Sequence, residues 1–181
     1  MAKHDEQIIH GYDIGVIRPE LIAENFNLRG EKMPKHRLKA IKKGLRTLHT
    51  LETMAVAIYR YQITKKKTEH NRQLVAAMCN EMTHFQDFQV KLYEYGFKPS
   101  KLRFAYWIVG FVFALFSRVR GKKAVLRTGI WVESKAVDHY KHLLEDIEWD
   151  DDTRKIIEKN GADEQGHINR WRSLLESPNV L

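Results

Sequence analysis

The chain has 181 residues, 43% of them apolar and 30% charged, with a formal net charge of +8 and a single cysteine. That length supplies one domain with a sizeable core, and the lone Cys79 excludes a disulfide framework and any CxxC zinc module and suits a reducing compartment. The start, MAKHDEQIIH, has no apolar run of signal-peptide character, and no stretch reaches the roughly 18 apolar residues of a spanning helix, so the expectation is a cytoplasmic protein, soluble or bound to a membrane surface.

Residues 1–32 read as an irregular or weakly helical arm ahead of one helical domain over 33–181. Only 4 prolines and 10 glycines occur, mostly outside the long periodic stretches, which favours helices over many short strands. From about Lys35 to Ile63 apolar residues recur at helical spacing, at Leu45, Leu48, Leu51, Ala55 and Ile58. The polar turn TKKKTEH at 64–70 follows. A second helix is expected from about Asn71 to Tyr95, with Leu74, Ala77, Phe85, Phe88 and Leu92 on one stripe, and Gly96 and Pro99 end it.

Next comes the uncharged run FAYWIVGFVFALF, Phe104 to Phe116. No acidic residue lies between Glu94 and Glu133, whereas Lys98, Lys101, Arg103, Arg118, Arg120, Lys122, Lys123 and Arg127 do. As a helix the run is about 20 Å long, too short for the roughly 30 Å hydrocarbon core. With Tyr106 and Trp107 inside it, the pattern over 104–123 predicts an element lying in a membrane interface over anionic headgroups; a buried crossover helix is the other reading. A third bundle helix starts after Gly121 and runs to about Asp146. The fourth opens on Asp150-Asp151-Asp152, charges that suit a helix N-terminus, and ends near Pro178. The fold expected is all-α: a four-helix bundle whose long connection between the second and third helices carries the apolar helix.

Each of the four helices carries a glutamate on its apolar stripe, and two of these are followed three residues later by histidine: Glu81-Met-Thr-His84 and Glu164-Gln-Gly-His167. Residues at i and i+3 share one face, so each pair points to one place. Glu52 and Glu133 lie in register with the apolar positions of their own helices. In an antiparallel hairpin, residues equidistant from the turn lie level. The midpoint of Glu52 and Glu81 is 66.5, inside the lysine turn, and that of Glu133 and Glu164 is 148.5, inside the IEWDD turn. Two such hairpins bring four carboxylates and two imidazoles together, which is the ligand set of a carboxylate-bridged di-iron centre in a ferritin-like bundle. Two divalent ions carry a charge that four glutamates cancel, and oxygen and imidazole ligands suit iron or manganese. Buried glutamates without cations would cost several kcal/mol, and the stripes offer almost no lysine or arginine.

The pairing further predicts that the Lys65–Lys67 turn and the acidic 145–152 turn share one end of the bundle. The opposite end then collects the bases of the first helix (Lys35, Arg37, Lys39, Lys42, Lys43), the apolar run, the bases at 118–123, and Arg170 and Arg172. From there a head group would reach the metals along about 18 Å of the third bundle helix, from Gly121 to Glu133.

Three segments resemble the demethoxyubiquinone hydroxylase family, the di-iron monooxygenases of ubiquinone biosynthesis: LETMAVAIYRYQ around Glu52, EMTHFQDF around Glu81 and His84, and GKKAVLRTGIWVESKAVDHY, where His139 and Tyr140 follow Glu133 by six and seven residues. The resemblance covers roughly 45–170. It implies metal ligation by Glu52, Glu81, His84, Glu133, Glu164 and His167, with His139 and Tyr140 as near-site groups that tune the metals or relay electrons. A packed, hydrogen-bonded pair is the ordinary reading of the last two. It also implies O2 and a lipid quinone or quinol as substrates, two iron ions (manganese also suits) as cofactor, and a peripheral position on the inner face of the membrane; homo-oligomerisation is left open. The rival readings are a ferroxidase or peroxide scavenger of the ferritin–rubrerythrin type, and a di-iron hydroxylase acting on tRNA; nucleic acid is not the favoured partner, because the residues interleaved with the bases are aliphatic as much as aromatic.

Overall fold

The computed structural model describes residues 8–9, 12–13 and 22–177. Among these are five α-helices: α1 (Lys35–Gln62), α2 (Glu69–Glu94), α3 (Arg103–Val119), α4 (Lys122–Asp146) and α5 (Asp151–Glu176). Of the arm expected over 1–32, residues 1–7, 10–11 and 14–21 lie outside the described residues. What is described is an antiparallel two-residue ladder, β1 (Ile8–Ile9) with β2 (Tyr12–Asp13), and one 3-10 turn at Ala23–Asn25. The end of the arm is tied down: the Arg29 amide donates to the Glu94 carbonyl at 2.8 Å.

Local chemistry sets the helix ends. The Thr68 hydroxyl caps α2 by accepting from the Asn71 amide at 3.2 Å. Asn71 in turn accepts from the Thr64 amide and donates to the Thr64 carbonyl, at 2.7 and 2.8 Å, which fixes the turn from α1. At the other end of α2 the amides of Gly96 and Phe97 bond back to the carbonyls of Tyr93 and Leu92. That wrapped ending needs a left-handed residue, and Gly96 supplies it at φ +73°.

The helices pair as two antiparallel hairpins, α1–α2 and α4–α5, but the hairpins point in opposite directions. Arg37, at the start of α1, donates to Asp150 at 2.9 Å in the α4–α5 turn. Arg29 grips both oxygens of Asp152 at 2.7 and 2.6 Å, and the Lys91 ammonium reaches Glu94 and Asp152 at 2.7 and 2.9 Å. The acidic turn therefore lies at the α1-start end, and not beside Lys65–Lys67 as the sequence reading has it. Its charges are met by Arg29, Arg37 and Lys91. The lysine turn shares the opposite end with the start of α4, where burial and then the nearby charge of Lys122 push the His70 imidazole below its ordinary value.

The crossover helix α3 makes this arrangement. It runs parallel to α1, and its 17 residues span about 26 Å; with the segment 95–102 ahead of them they carry the chain from one end of the bundle to the other. α3 docks through small side chains: Gly110, Ala114 and Ser117 are its buried residues. A Cβ on Gly110 would sit 2.5 Å from the Met54 carbonyl oxygen. The Gln62 amide donates to the Ser117 hydroxyl at 2.8 Å. The large apolar residues face outward, among them Phe104 (63% exposed), Phe116 (59%) and Val119 (79%). The run at 104–116 is thus an exposed crossover helix rather than a buried one. Among the described residues no helix is long and apolar enough to cross a membrane.

The apolar core has two parts. One, at the α1-start end, gathers Leu45, Leu48, Phe88, Leu92, Tyr140 and Trp149. The other, toward the lysine turn, gathers Tyr59, Leu74, Val125, Leu126 and Trp171. A band of buried polar side chains lies between them.

Candidate metal centre

That band consists of the glutamates and histidines at hairpin-matched positions. Glu52 comes from α1, Glu81 and His84 from α2, Glu133 from α4, and Glu164 and His167 from α5, and each is no more than 5% exposed. Their ligand atoms form two groups, each within 4.8 Å: Glu52, Glu81, His84 and Glu164 in one, Glu81, Glu133, Glu164 and His167 in the other. Glu81 and Glu164 belong to both.

The two imidazoles face inward through Nδ1. His84 Nδ1 lies 3.1 Å from Glu164 and 3.5 Å from Glu81, while its Nε2 turns outward to Asp163 at 3.2 Å. His167 Nδ1 lies 2.9 Å from Glu81, 3.4 Å from Glu164 and 3.7 Å from Glu133. Both carboxylate oxygens of Glu81, one of Glu164 and His167 Nδ1 are buried yet make no hydrogen bond among the described residues. Orphaned lone pairs aimed at one space, drawn from oxygen and imidazole, are what a pair of divalent cations needs. The donor set fits two such ions.

Electrostatics agree. Burial, reinforced by the charges of Glu164 and Glu81, pushes Glu52 well above the ordinary carboxyl range. Burial and the charge of Glu164 push Glu133 up to about 7. Burial opposes charge on the histidines, but the hydrogen bond that His84 makes to Glu164 and the negative charges of Glu81 and Glu164 outweigh it and hold His84 up to about 11; Glu133, Glu164 and Glu81 together hold His167 up to about 12. Without metals, protons take the place of the cations.

Two tyrosines complete the centre. Tyr140 is buried and donates to Glu52 at 2.6 Å. Tyr59 donates to Glu133 and itself accepts from Trp171 Nε1 at 3.1 Å. Sequence reasoning missed Tyr59, Trp171 and Asp163. A signal for Tyr59 is present: ETMAVAIY at 52–59 and ESKAVDHY at 133–140 share Glu, Ala, Val and Tyr at the same offsets, so α1 and α4 repeat one another and each gives its tyrosine to the other's glutamate.

His139 is not brought to the centre. It is exposed, with Nδ1 2.8 Å from the Lys135 carbonyl. It stands at the edge of a pocket of about 270 Å³ whose lining runs from Tyr106 and Trp131 inward to Glu52 and Glu133. Access to the ligands is therefore sideways, between α1, α3 and α4, rather than along α4 from Gly121.

The sequence profile of the family described as ubiquinone biosynthesis protein COQ7 matches residues 39–173, a span holding all six inward glutamates and histidines and both tyrosines. Curated relatives named 3-demethoxyubiquinol 3-hydroxylase from Legionella pneumophila, strains Lens and Philadelphia 1, are each 27% identical over 145 residues, covering 79% of this chain and 68% of the relative. The protein of that name from strain Corby aligns over the same length at the same identity.

Proposed function

The chain belongs to the COQ7 family of ubiquinone biosynthesis proteins, and from that premise we propose that it hydroxylates the ring of a demethoxyubiquinol-type lipid with O2. The observation that carries this reading is the pair of overlapping ligand groups with Glu81 and Glu164 in common. Glu52 and His84 would hold one iron, Glu133 and His167 the other, and Glu81 and Glu164 would serve both. Bound there as ferrous ions, the pair would supply the two electrons of one hydroxylation and the open coordination positions for oxygen, and an external reductant would restore those electrons before the next turnover.

The protein's own part is to hold and to admit. Asp163 fixes the tautomer of His84, Tyr140 and Tyr59 orient the two unshared carboxylates, and the two apolar clusters keep water from both sides of the centre. The pocket beneath Tyr106 and Trp131 would receive the ring, and the exposed face of α3 would rest in the membrane interface that holds the isoprenoid tail.

The test is turnover of a short-chain demethoxyubiquinol by the iron-loaded protein under isotopically heavy oxygen. One heavy atom in the ring product is the expected result, with loss of product and of bound iron in Glu164→Ala. Oxidation of ferrous iron with no ring product would overturn the reading in favour of a ferroxidase.

A further inference from the structure

Among the described residues, a cavity away from the metal centre is lined chiefly by positive charge. It encloses about 490 Å³ along the first half of α1, and Lys39, Lys42, Lys43 and Arg46 line it. These positions are spaced i, i+3, i+4 and i+7, so the four cations form a single stripe. Thr47 and Thr50 add hydroxyls, and among the described residues no carboxylate lines the space. Arg46 Nε donates to the Lys98 carbonyl at 3.0 Å, and the Lys42 ammonium sits 5.2 Å over the Phe97 ring. Among the described residues, the α1 cation that does find carboxylates is Arg37, two residues before Lys39 and outside the cavity. Four neighbouring cations with no counter-charge among the described residues repel one another, and an anion in the cavity relieves that.

The rim decides which anion. Leu102, 65% exposed, and Tyr106 are at once walls of the cavity and the first turn of the apolar face of α3. A soluble phosphate would leave these side chains in water. A phospholipid gives its phosphate to the cations and its acyl chains to Leu102 and Phe104.

We propose that the cavity is a headgroup site for an anionic phospholipid, a further element of the membrane docking described above and resting on it. Leu51, Tyr106 and His139 line this cavity and the pocket to Glu52 and Glu133 alike. A bound headgroup sets the pocket mouth at the level of the lipid heads.

The experiment compares wild type, Lys39→Ser/Lys43→Ser, and Arg120→Ser/Lys123→Ser, two variants of equal net charge, the first altered on α1 beside the start of α3 and the second just past the end of α3. Each is floated on phosphatidylcholine vesicles with and without phosphatidylglycerol. Wild type should prefer the anionic vesicles, and the cavity variant should bind them roughly thirtyfold less, about fivefold per cation, while keeping its binding to neutral ones. The distal variant should keep most of the preference. Equal losses in both variants, or wild type that floats equally well with both kinds of vesicle, would overturn the site in favour of a diffuse field or none. In parallel, dihexanoyl phosphatidylglycerol below its micellar concentration should raise the thermal midpoint of wild type and not of the cavity variant. Inorganic phosphate at the same concentration should do neither; an equal rise with phosphate overturns the lipid assignment. Wild type that binds the soluble lipid but floats with no vesicle would leave the site standing and refute the docking of α3.

Discussion

Tyr59 and Tyr140 each place a buried hydroxyl on a carboxylate that belongs to only one of the two ligand groups. Removing one hydroxyl leaves that carboxylate oxygen without its donor inside the bundle, where a hydrogen bond to a charged group is worth about 1.5–3 kcal/mol. Tyr59→Phe and Tyr140→Phe should each lower stability by about that amount in urea titrations and weaken iron binding roughly 10- to 100-fold in metal titrations. A full complement of iron held as tightly as in wild type would show that the carboxylates keep their orientation unaided. His139 and Tyr140 are neighbours in sequence and opposite in fate because successive helical residues point about 100° apart: one is at the surface, the other in the core. The glutamates and histidines were legible because ligand spacing and hairpin midpoints constrain one another. Tyr59 was not, since a tyrosine on an apolar stripe reads as core until the repeat between α1 and α4 is noticed.

At the scale of elements, the four bundle helices and their turns follow from periodicity and capping, whereas the relative direction of the hairpins does not. Midpoint arithmetic levels residues within a hairpin and is blind to what joins one hairpin to the next. The joining element is α3, and its 17 residues, with the segment 95–102 ahead of them, return the chain to the far end before α4 begins. The bases flanking the apolar run consequently lie at both ends of α3, and the apolar face lies along one side of the bundle. Gly110 is what lets α3 approach α1 so closely. In Gly110→Ala the new methyl meets the Met54 carbonyl at 2.5 Å and the Ala57 methyl at 3.0 Å, and backbone cannot yield cheaply. That variant should lose about 1–3 kcal/mol and become open to proteolytic cutting within 103–119 while still binding iron. Unchanged cutting would mean that α3 is held mainly by its ends.

For the whole molecule, the buried charge makes stability depend on pH in a direction set by the metals. In the metal-free chain Glu133 keeps its proton up to about 7, against 4.5 when unfolded, and His84 and His167 keep theirs up to about 11 and about 12, against 6.5. The folded state thus binds more protons than the unfolded one, and stability falls as pH rises: through Glu133 from 4.5 to about 7, and through the imidazoles from 6.5 upward. After treatment with a chelator, the thermal midpoint should decline steadily between about pH 6 and about pH 9. With ferrous ions present it should rise over the same interval, because protons no longer compete for the ligands. A flat profile in the stripped protein would show that the cluster does not carry those protons. The division of the core has a mechanical sequel. The polar band separates the two oily compartments, so cations there would act as a rivet between them: loaded protein should melt in one sharp step, and stripped protein in a broader one.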